Sequence, residues 1–409
     1  MNRFHWHPEA RLFGANDHAA QGFAPAFDAI SETKGVAVPR PFGVLGGCPE
    51  RPVNTALQRA FGPAPFRIGA PDAPAPASGF ETLTSGSTGA PRRIARSVGS
   101  WQRSFAVNSG LFGLGPGARV AVLGRLVQSL SLYGAVEGLS LGAAVHVLDG
   151  MRPDRQRAAL AARRIGVLWA SPPQLQLLLE AGGPDLPDLR FVLVGGAKLD
   201  TGLRAGVARL CPGAKLREFY GAAEASFISL ADDETPDHAV GRPYPGVEIG
   251  IGGPAGRATQ GRVWVRSPYL FCGYGGPNAG VAEWRDGWLG LGEVGRIEAG
   301  QLVLLGRIDR MVTVAGQNAY PEAMELFLLT LPGLMRAAVV PRADGLRGHV
   351  LEAVLMGVGD ETQILAALRA RFGALVAPRR VRWRQDWPVL ASGKTDLAAL
   401  ARGDCTGIE

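Results

Sequence analysis

Cysteine is scarce in this chain of 409 residues: only Cys48, Cys211, Cys272 and Cys405 occur, far apart and with no CxxC pair. A disulfide-stapled scaffold is therefore excluded, no zinc-ligand spacing is present, and a reducing compartment, the cytoplasm, is the expected location. Long apolar runs are missing too. No window approaches the ~18 uninterrupted apolar residues that read as a spanning helix, so no membrane span is expected. The opening Met1-Asn2-Arg3-Phe4-His5-Trp6-His7 has no apolar core of signal-peptide length. Charged residues are only 19% against 46% apolar, which excludes a disordered polyelectrolyte. Charge of one sign is in short supply as well: 43 Lys+Arg against 36 Asp+Glu leaves a net +7. Without aromatic interleaving or a groove-reading motif, nucleic acid is not an expected partner. The small basic excess suits phosphate-bearing ligands or acidic partner proteins.

Glycine (57) and proline (30) are plentiful, together about a fifth of the chain. With no Gly-X-Y period, they mark tight turns rather than collagen. The length calls for two or three cores. Residues 1–80 carry no sustained period. From about 118 the pattern becomes regular: strands at Arg119–Leu123, Ala144–Leu148, Val167–Ala170 and Arg190–Val194 alternate with helices at Asp154–Arg164 and Pro172–Leu179. That alternation predicts a mostly parallel sheet covered on both faces. After about 240, short glycine-separated strands such as Arg262–Val265 and Gln301–Leu305 predict an antiparallel, β-rich subdomain. A third region begins near Arg307, with helices at Pro321–Leu331 and Glu361–Phe372 and strands near Ala337–Val340 and Leu351–Leu355. No fixed-period repeat is present.

The most informative segment is Thr82-Leu83-Thr84-Ser85-Gly86-Ser87-Thr88-Gly89-Ala90-Pro91-Arg92-Arg93. Glycines let backbone N–H groups turn toward an anion, hydroxyls add donors, and Arg92 adds fixed positive charge. The plain alternative is a flexible Ser/Gly linker. The segment is not a Walker loop, because GxxxxGK[ST] is absent. Gly290-Leu291-Gly292-Glu293-Val294-Gly295 matches GxGxxG. The residues that follow read as hairpin strands, whereas a dinucleotide fingerprint must open a helix.

Thr84 to Arg92 closely resembles the TSGTTGxPK loop of the adenylate-forming superfamily, which comprises acyl-CoA synthetases, carrier-protein adenylation domains and luciferases. Six further stretches match in the family's order: Phe219-Tyr220-Gly221-Ala222-Ala223-Glu224; Gly241 to Val247; Gly261 to Arg266 with Gly273-Tyr274; Gly287 to Arg296; Gly306-Arg307-Ile308-Asp309 to Glu322; and Ser392-Gly393-Lys394. Together the resemblance covers about residues 80–400. It implies a large N-terminal lobe over 1–306, of mostly parallel α/β sheets plus the β-rich subdomain at about 240–306, and a small mobile α+β C-terminal lobe over 307–409. The segment before the phosphate loop is short for the family, so part of the N-terminal region is expected to be trimmed.

The implied chemistry is attack of a carboxylate on the α-phosphate of ATP, giving acyl-AMP and pyrophosphate, followed by displacement of AMP by a thiol. Such a reaction leans on positioning and charge stabilisation. By position, Thr84, Ser85, Gly86, Ser87, Thr88 and Gly89 would hold the β- and γ-phosphates, with Arg92 beside them. Glu224 and Thr88 would hold Mg²⁺, as hard oxygen donors should. Gly196, Ala197, Glu218, Phe219 and Tyr220 would border the adenine. Glu293 and Arg307 would grip the ribose, Asp309 would be the hinge, and Lys394 would complete the charge at the substrate carboxylate and α-phosphate. The acid pocket would lie between the helix at Val127–Leu139, the Gly195-Gly196 turn and Tyr220-Gly221, with Gln128 near the acid.

Some positions depart from the family pattern. Ala223 stands for a threonine, Leu291-Gly292-Glu293 for Thr-Gly-Asp, Thr313 for a lysine, and Arg92 for the loop lysine. Arg125 to Val136 contains no acid to pair with an ammonium group, so an aryl or aliphatic acid is expected rather than an α-amino acid. Arg336, Arg342, Arg347, Arg369, Arg371, Arg379, Arg380, Arg382 and Arg384 form either a solvated basic face or an anion dock for CoA phosphates or the acidic helix of an acyl carrier protein, with CoA or phosphopantetheine as the thiol acceptor. Two function classes follow: an AMP-forming acid–thiol ligase, or an adenylation-deficient nucleotide- or acyl-binding relative on the same scaffold.

Overall fold

The computed structural model describes residues 3–14, 43–45, 57, 60–62, 64–68, 76, 78–83, 92–276, 281–389 and 395–402. The chain divides into two compact units. One comprises residues 1–235, 240–248 and 265–289; the other comprises 236–239, 249–264 and 290–409.

In chain order the first unit contains β1 (Arg11–Phe13), β2 (Gly43–Leu45), β3 (Phe66–Ile68), β4 (Phe80–Leu83), β5 (Arg93–Arg96), α1 (Val98–Phe112), β6 (Arg119–Val122), α2 (Ser129–Leu141), β7 (Ala144–Val147) and α3 (Pro153–Ala162). It continues with β8 (Val167–Ala170), α4 (Pro172–Glu180), β9 (Phe191–Val194), α5 (Thr201–Leu210), β10 (Lys215–Ala222), β11 (Ser226–Ala231) and β12 (Arg242–Pro243). The eight-stranded sheet runs β1-β7-β6-β8-β9-β10-β11-β12. Its first six strands are parallel; β11 pairs antiparallel with β10, and β12 pairs antiparallel with β11. The apolar runs explain this. β8 is buried along its whole length, as a strand covered on both faces must be. On one face Leu123, Leu160, Leu175, Leu178, Val192 and Leu203 form a core; on the other, α2 is buried from Ser131 to Leu139.

Residues that showed no pattern in the sequence close this unit. Strand β1 pairs parallel with β7 and completes the sheet's edge. Phe4 is 1% exposed and packs 5.4–6.3 Å from the rings of Phe61, Phe66, Phe80, Trp101 and Phe105. These rings back a second sheet ordered β15-β5-β4-β3-β2. Its last-entering strand follows β13 (Glu248–Ile251) and β14 (Gly261–Arg266) and is β15 (Gly273–Gly275).

The remaining elements are β16 (Glu283–Arg285), β17 (Trp288–Glu298), β18 (Gln301–Arg307), β19 (Val312–Val314), β20 (Gln317–Ala319), α6 (Pro321–Leu328), β21 (Leu334–Asp344), β22 (Gly348–Gly357), α7 (Glu361–Phe372), β23 (Arg380–Trp383) and α8 (Leu397–Arg402). In the second unit β21, β22 and β23 form a three-stranded sheet. Leu328, Val339, Leu351, Leu355, Leu365 and Leu368 pack on one face with α6 and α7. Leu400 of α8 packs with Ala338, Val340 and Val354 on the other. In this division β18 lies with the C-terminal elements. Arg310, just past β18, ion-pairs Glu325 at 2.7 Å and Glu322 at 3.3 Å on α6, which ties the β17–β18 hairpin to the C-terminal elements. The GxGxxG stretch lies inside strand β17 and opens no helix, so the dinucleotide reading is excluded.

Candidate active site

In the first unit the candidate residues gather at the carboxyl ends of the parallel strands, where open α/β sheets bind ligands. Strand β9 ends in Gly195-Gly196. A Cβ on Gly195 would fall 2.2 Å from the Phe219 ring, so only glycine admits that ring. Phe219 packs edge-on to Trp169 and Phe227. The Glu218 carboxylate, 5% exposed, is held by Arg204 at 2.9 Å and Lys198 at 3.5 Å. It thereby anchors the turn through Ala197 to α5. Tyr220 is half-buried in the same strand. Gln128 is exposed at the start of α2, where its carbonyl accepts from Leu132 N–H at 3.0 Å.

Glu224 sits in the turn between β10 and β11. The pairing shifts register between Tyr220 and Gly221, and a Cβ on Gly221 would lie 2.1 Å from the Ser226 carbonyl oxygen. Ala225 N–H closes the turn on the Ala222 carbonyl at 3.0 Å, and Ser226 takes a φ of 58°. The turn is gripped from outside by groups that sequence reasoning missed. Phe271 N–H donates to the Glu224 carbonyl at 2.8 Å. Arg96, buried at 3% exposure, donates to the carbonyls of Ala223 and Tyr269. Burial draws its guanidinium down to a pKa of about 10, against the raising influence of Glu224. The Tyr274 hydroxyl donates to Glu224 Oε1 at 2.9 Å, and the Arg92 guanidinium lies 5.5 Å over the Tyr274 ring centroid. Burial, then the Glu224 charge, push the Tyr274 phenol up to about 12, so it stays a donor at neutral pH. The only sequence signal for Tyr274 was its place in a motif; Arg96 had none.

The structure thus brings Arg92 and Glu224 together across Tyr274. Thr84, Ser85, Gly86, Ser87, Thr88 and Gly89 lie outside the described residues. The strands that flank them, β4 and β5, pair antiparallel up to Leu83 opposite Arg93.

A second missed group is Glu137 on α2, fully buried. Its Oε1 accepts from Asn108 Nδ2 at 2.7 Å and from the Tyr133 hydroxyl at 3.0 Å. Tyr244 closes the network on Asn108 Oδ1 at 2.6 Å. Burial, only partly opposed by those hydrogen bonds, pushes the Glu137 carboxyl up to about 8.

In the second unit Glu293 and Arg307 are register partners in the β17–β18 hairpin. Arg307 makes two 2.9 Å hydrogen bonds to Asp309, in a 3-10 turn at Ile308–Arg310. That pairing is the main reason the Arg307 pKa is raised. Lys394 lies outside the described residues. Its C-terminal neighbour Thr395 accepts from Trp387 Nε1 at 3.0 Å and bridges to Val389.

A family model described as "AMP-binding enzyme" matches residues 66–275, half of the chain. The chain belongs to the adenylate-forming superfamily. The matched stretch contains the loop at 84–92, Glu224 and Tyr274. An uncharacterized acyl–CoA ligase, YhfT of Bacillus subtilis, is 32% identical over 76% of this chain and 66% of its own length. The chain therefore spans just under two thirds of that relative. A 3-hydroxybenzoate–CoA ligase of Aromatoleum is 28% identical over 89% of this chain and 73% of its own length. Among solved structures, the amide bond synthetase McbA from Marinactinospora thermotolerans superposes with a TM-score of 0.68 at 29% identity, over 79% of this chain and 68% of that one. Magnesium fits the donor set of this adenylate-forming chain. Glu224 is a hard carboxylate whose Oε2 takes no hydrogen bond among the described residues. Among those residues no helix is long and apolar enough to cross a membrane.

Proposed function

We propose that the protein is an AMP-forming acid–thiol ligase. It activates an aryl or aliphatic carboxylic acid with ATP and transfers the acyl group to the thiol of CoA. The observation that carries this reading is the Glu224 turn, gripped by Arg96 and Tyr274 with Arg92 alongside, inside the segment the family model matches. Relatives named as CoA ligases favour CoA as the acceptor. The phosphopantetheine arm of an acyl carrier protein offers the same thiol chemistry.

In the first step an oxygen of the substrate carboxylate bonds to the α-phosphorus and the bond to pyrophosphate breaks. In the second, the thiol sulfur, its proton released to solvent, attacks the acyl carbon and AMP departs with the C–O bond electrons. The loop at Thr84–Gly89 and Arg92 would bind the phosphates, and Lys394 would balance charge at the reacting oxygens. Magnesium, held by Glu224 and Thr88, would neutralise phosphate charge. Glu293 and Arg307 would bind the ribose. Gly196, Ala197, Glu218, Phe219 and Tyr220 would border the adenine, and Gln128, Gly195 and Gly221 would line the acid pocket. Asp309, at the start of the region over 307–409, would act as hinge. An α-amino acid remains disfavoured, because Glu137, the one acid on α2, is already engaged by Asn108 and Tyr133.

Pyrophosphate exchange over a panel of acids tests the proposal. Exchange with aryl or aliphatic acids, lost in Lys394→Ala, is the expected result. Nucleotide binding without exchange for any acid would show instead an adenylation-deficient relative. Free acyl-AMP released in the presence of both thiols would overturn the thioester step.

A further inference from the structure

We infer that Tyr274 is a positioning residue that holds Glu224 with a single oxygen presented and keeps Arg92 beside it without letting the two charges close on each other. The inference rests on the reading of Glu224 as the carboxylate that meets the nucleotide's divalent cation. The Tyr274 hydroxyl takes Glu224 Oε1 at 2.9 Å. The Arg92 guanidinium lies over the same ring at 5.5 Å. The phenol therefore stands between a cation and an anion. Tyr274 is itself fixed. It pairs with Ile94 of β5, and its ring packs edge-on to Phe271 at 5.1 Å, the residue whose N–H holds the Glu224 carbonyl.

The chemistry explains the need for a spacer. Arginine and a carboxylate in contact prefer a bidentate pair that uses both carboxylate oxygens. Such a pair would cancel the cation a phosphate needs and leave no oxygen for a metal. A neutral hydroxyl satisfies one oxygen only, and a cation–π contact is weak enough for Arg92 to turn to a phosphate.

The test is ATP binding by full-length protein, measured calorimetrically during a Mg²⁺ titration with no acid or thiol present. Tyr274→Phe keeps the ring and removes the hydroxyl. The Mg²⁺ concentration that gives half-maximal ATP binding should rise roughly tenfold, the order of effect of one charge-assisted hydrogen bond, while binding without Mg²⁺ changes less than about twofold. Tyr274→Leu, which also removes the platform for Arg92, should weaken binding without Mg²⁺ as well. The double variant Tyr274→Phe/Glu224→Gln should be no weaker than Glu224→Gln alone. A Tyr274→Phe titration like the wild type, beside a Glu224→Gln variant that has lost its Mg²⁺ dependence, overturns the inference and leaves the Glu224 reading standing. Unchanged Mg²⁺ dependence in Glu224→Gln shows that the Glu224 reading itself has failed. A lower melting temperature for Tyr274→Phe with an unmoved Mg²⁺ midpoint also overturns the inference, since a purely structural role would do that.

Discussion

Glu137 carries its cost in the open. A buried carboxylate with two donors on one oxygen and, among the described residues, no partner on the other is cheaper protonated than charged. Its pKa of about 8 against an ordinary 4.5 means that between those values the native state keeps a proton the unfolded chain has lost. Stability then falls as pH rises through that window. His146 works the other way: burial and then Arg163 push its pKa down to about 3 from 6.5, so its contribution is lost as pH falls below 6.5. The two slopes oppose each other at lower pH, and the clean window is pH 6.5 to 8. Across it the wild-type melting temperature should decline. Glu137→Gln, which cannot ionise, should flatten that decline and melt higher than wild type at pH 8.5. Parallel melting profiles for the two proteins from pH 6.5 to 8.5 would show that the group is charged throughout. In the sequence, a single glutamate in a helix otherwise read as apolar gave no such warning. Its partners Asn108 and Tyr244 come from α1 and from the motif after β11, and only the fold brings them to it.

At the scale of elements, legibility followed burial. The parallel strands β6 to β9 were plain in the sequence because strands covered on both faces are uninterrupted apolar runs. Strand β1 was invisible: three residues carry no period, and its place at the sheet edge depends on backbone pairing to β7. The Glu224 turn was legible only as a motif, since the grip of Arg96 and Tyr274 comes from distant strands. The arginines of the last hundred residues were legible as charge but not as structure. Glu352, 5% exposed on β22, gathers Arg342 at 2.7 Å, Arg382 at 3.2 Å and Arg380 at 3.8 Å. Arg342 and Arg382 in turn donate to the Ala401 and Leu400 carbonyls at the end of α8. A six-residue helix cannot stand alone; cations on its last carbonyls complement the orphan acceptors there. Glu352→Gln leaves two partly buried guanidiniums without their counter-charge. Full loss of a buried pair costs about 3–5 kcal/mol, and the partial exposure of the arginines reduces the expectation to about 2 kcal/mol. Guanidinium chloride unfolding should show that loss, together with faster proteolysis near α8. An unchanged midpoint would mean that water serves those arginines as well as the glutamate does.

At the scale of the whole molecule, each compact unit has its own apolar core: the clusters around the parallel sheet lie in the first, and those on either face of the β21–β22–β23 sheet lie in the second. Units with separate cores need not melt as one. Calorimetry should therefore resolve two transitions rather than a single two-state peak. The variants argued above assign them. Glu137→Gln should move only the transition of the first unit, by an amount that grows as pH rises from about 4.5 to about 8. Glu352→Gln should lower only that of the second, at any neutral pH. If each variant shifted both transitions equally, the cores would be melting as one cooperative body and the division into units would carry no thermodynamic meaning. If the shifts separate, the Glu224 turn and the Glu293–Arg307 hairpin belong to bodies of independent stability.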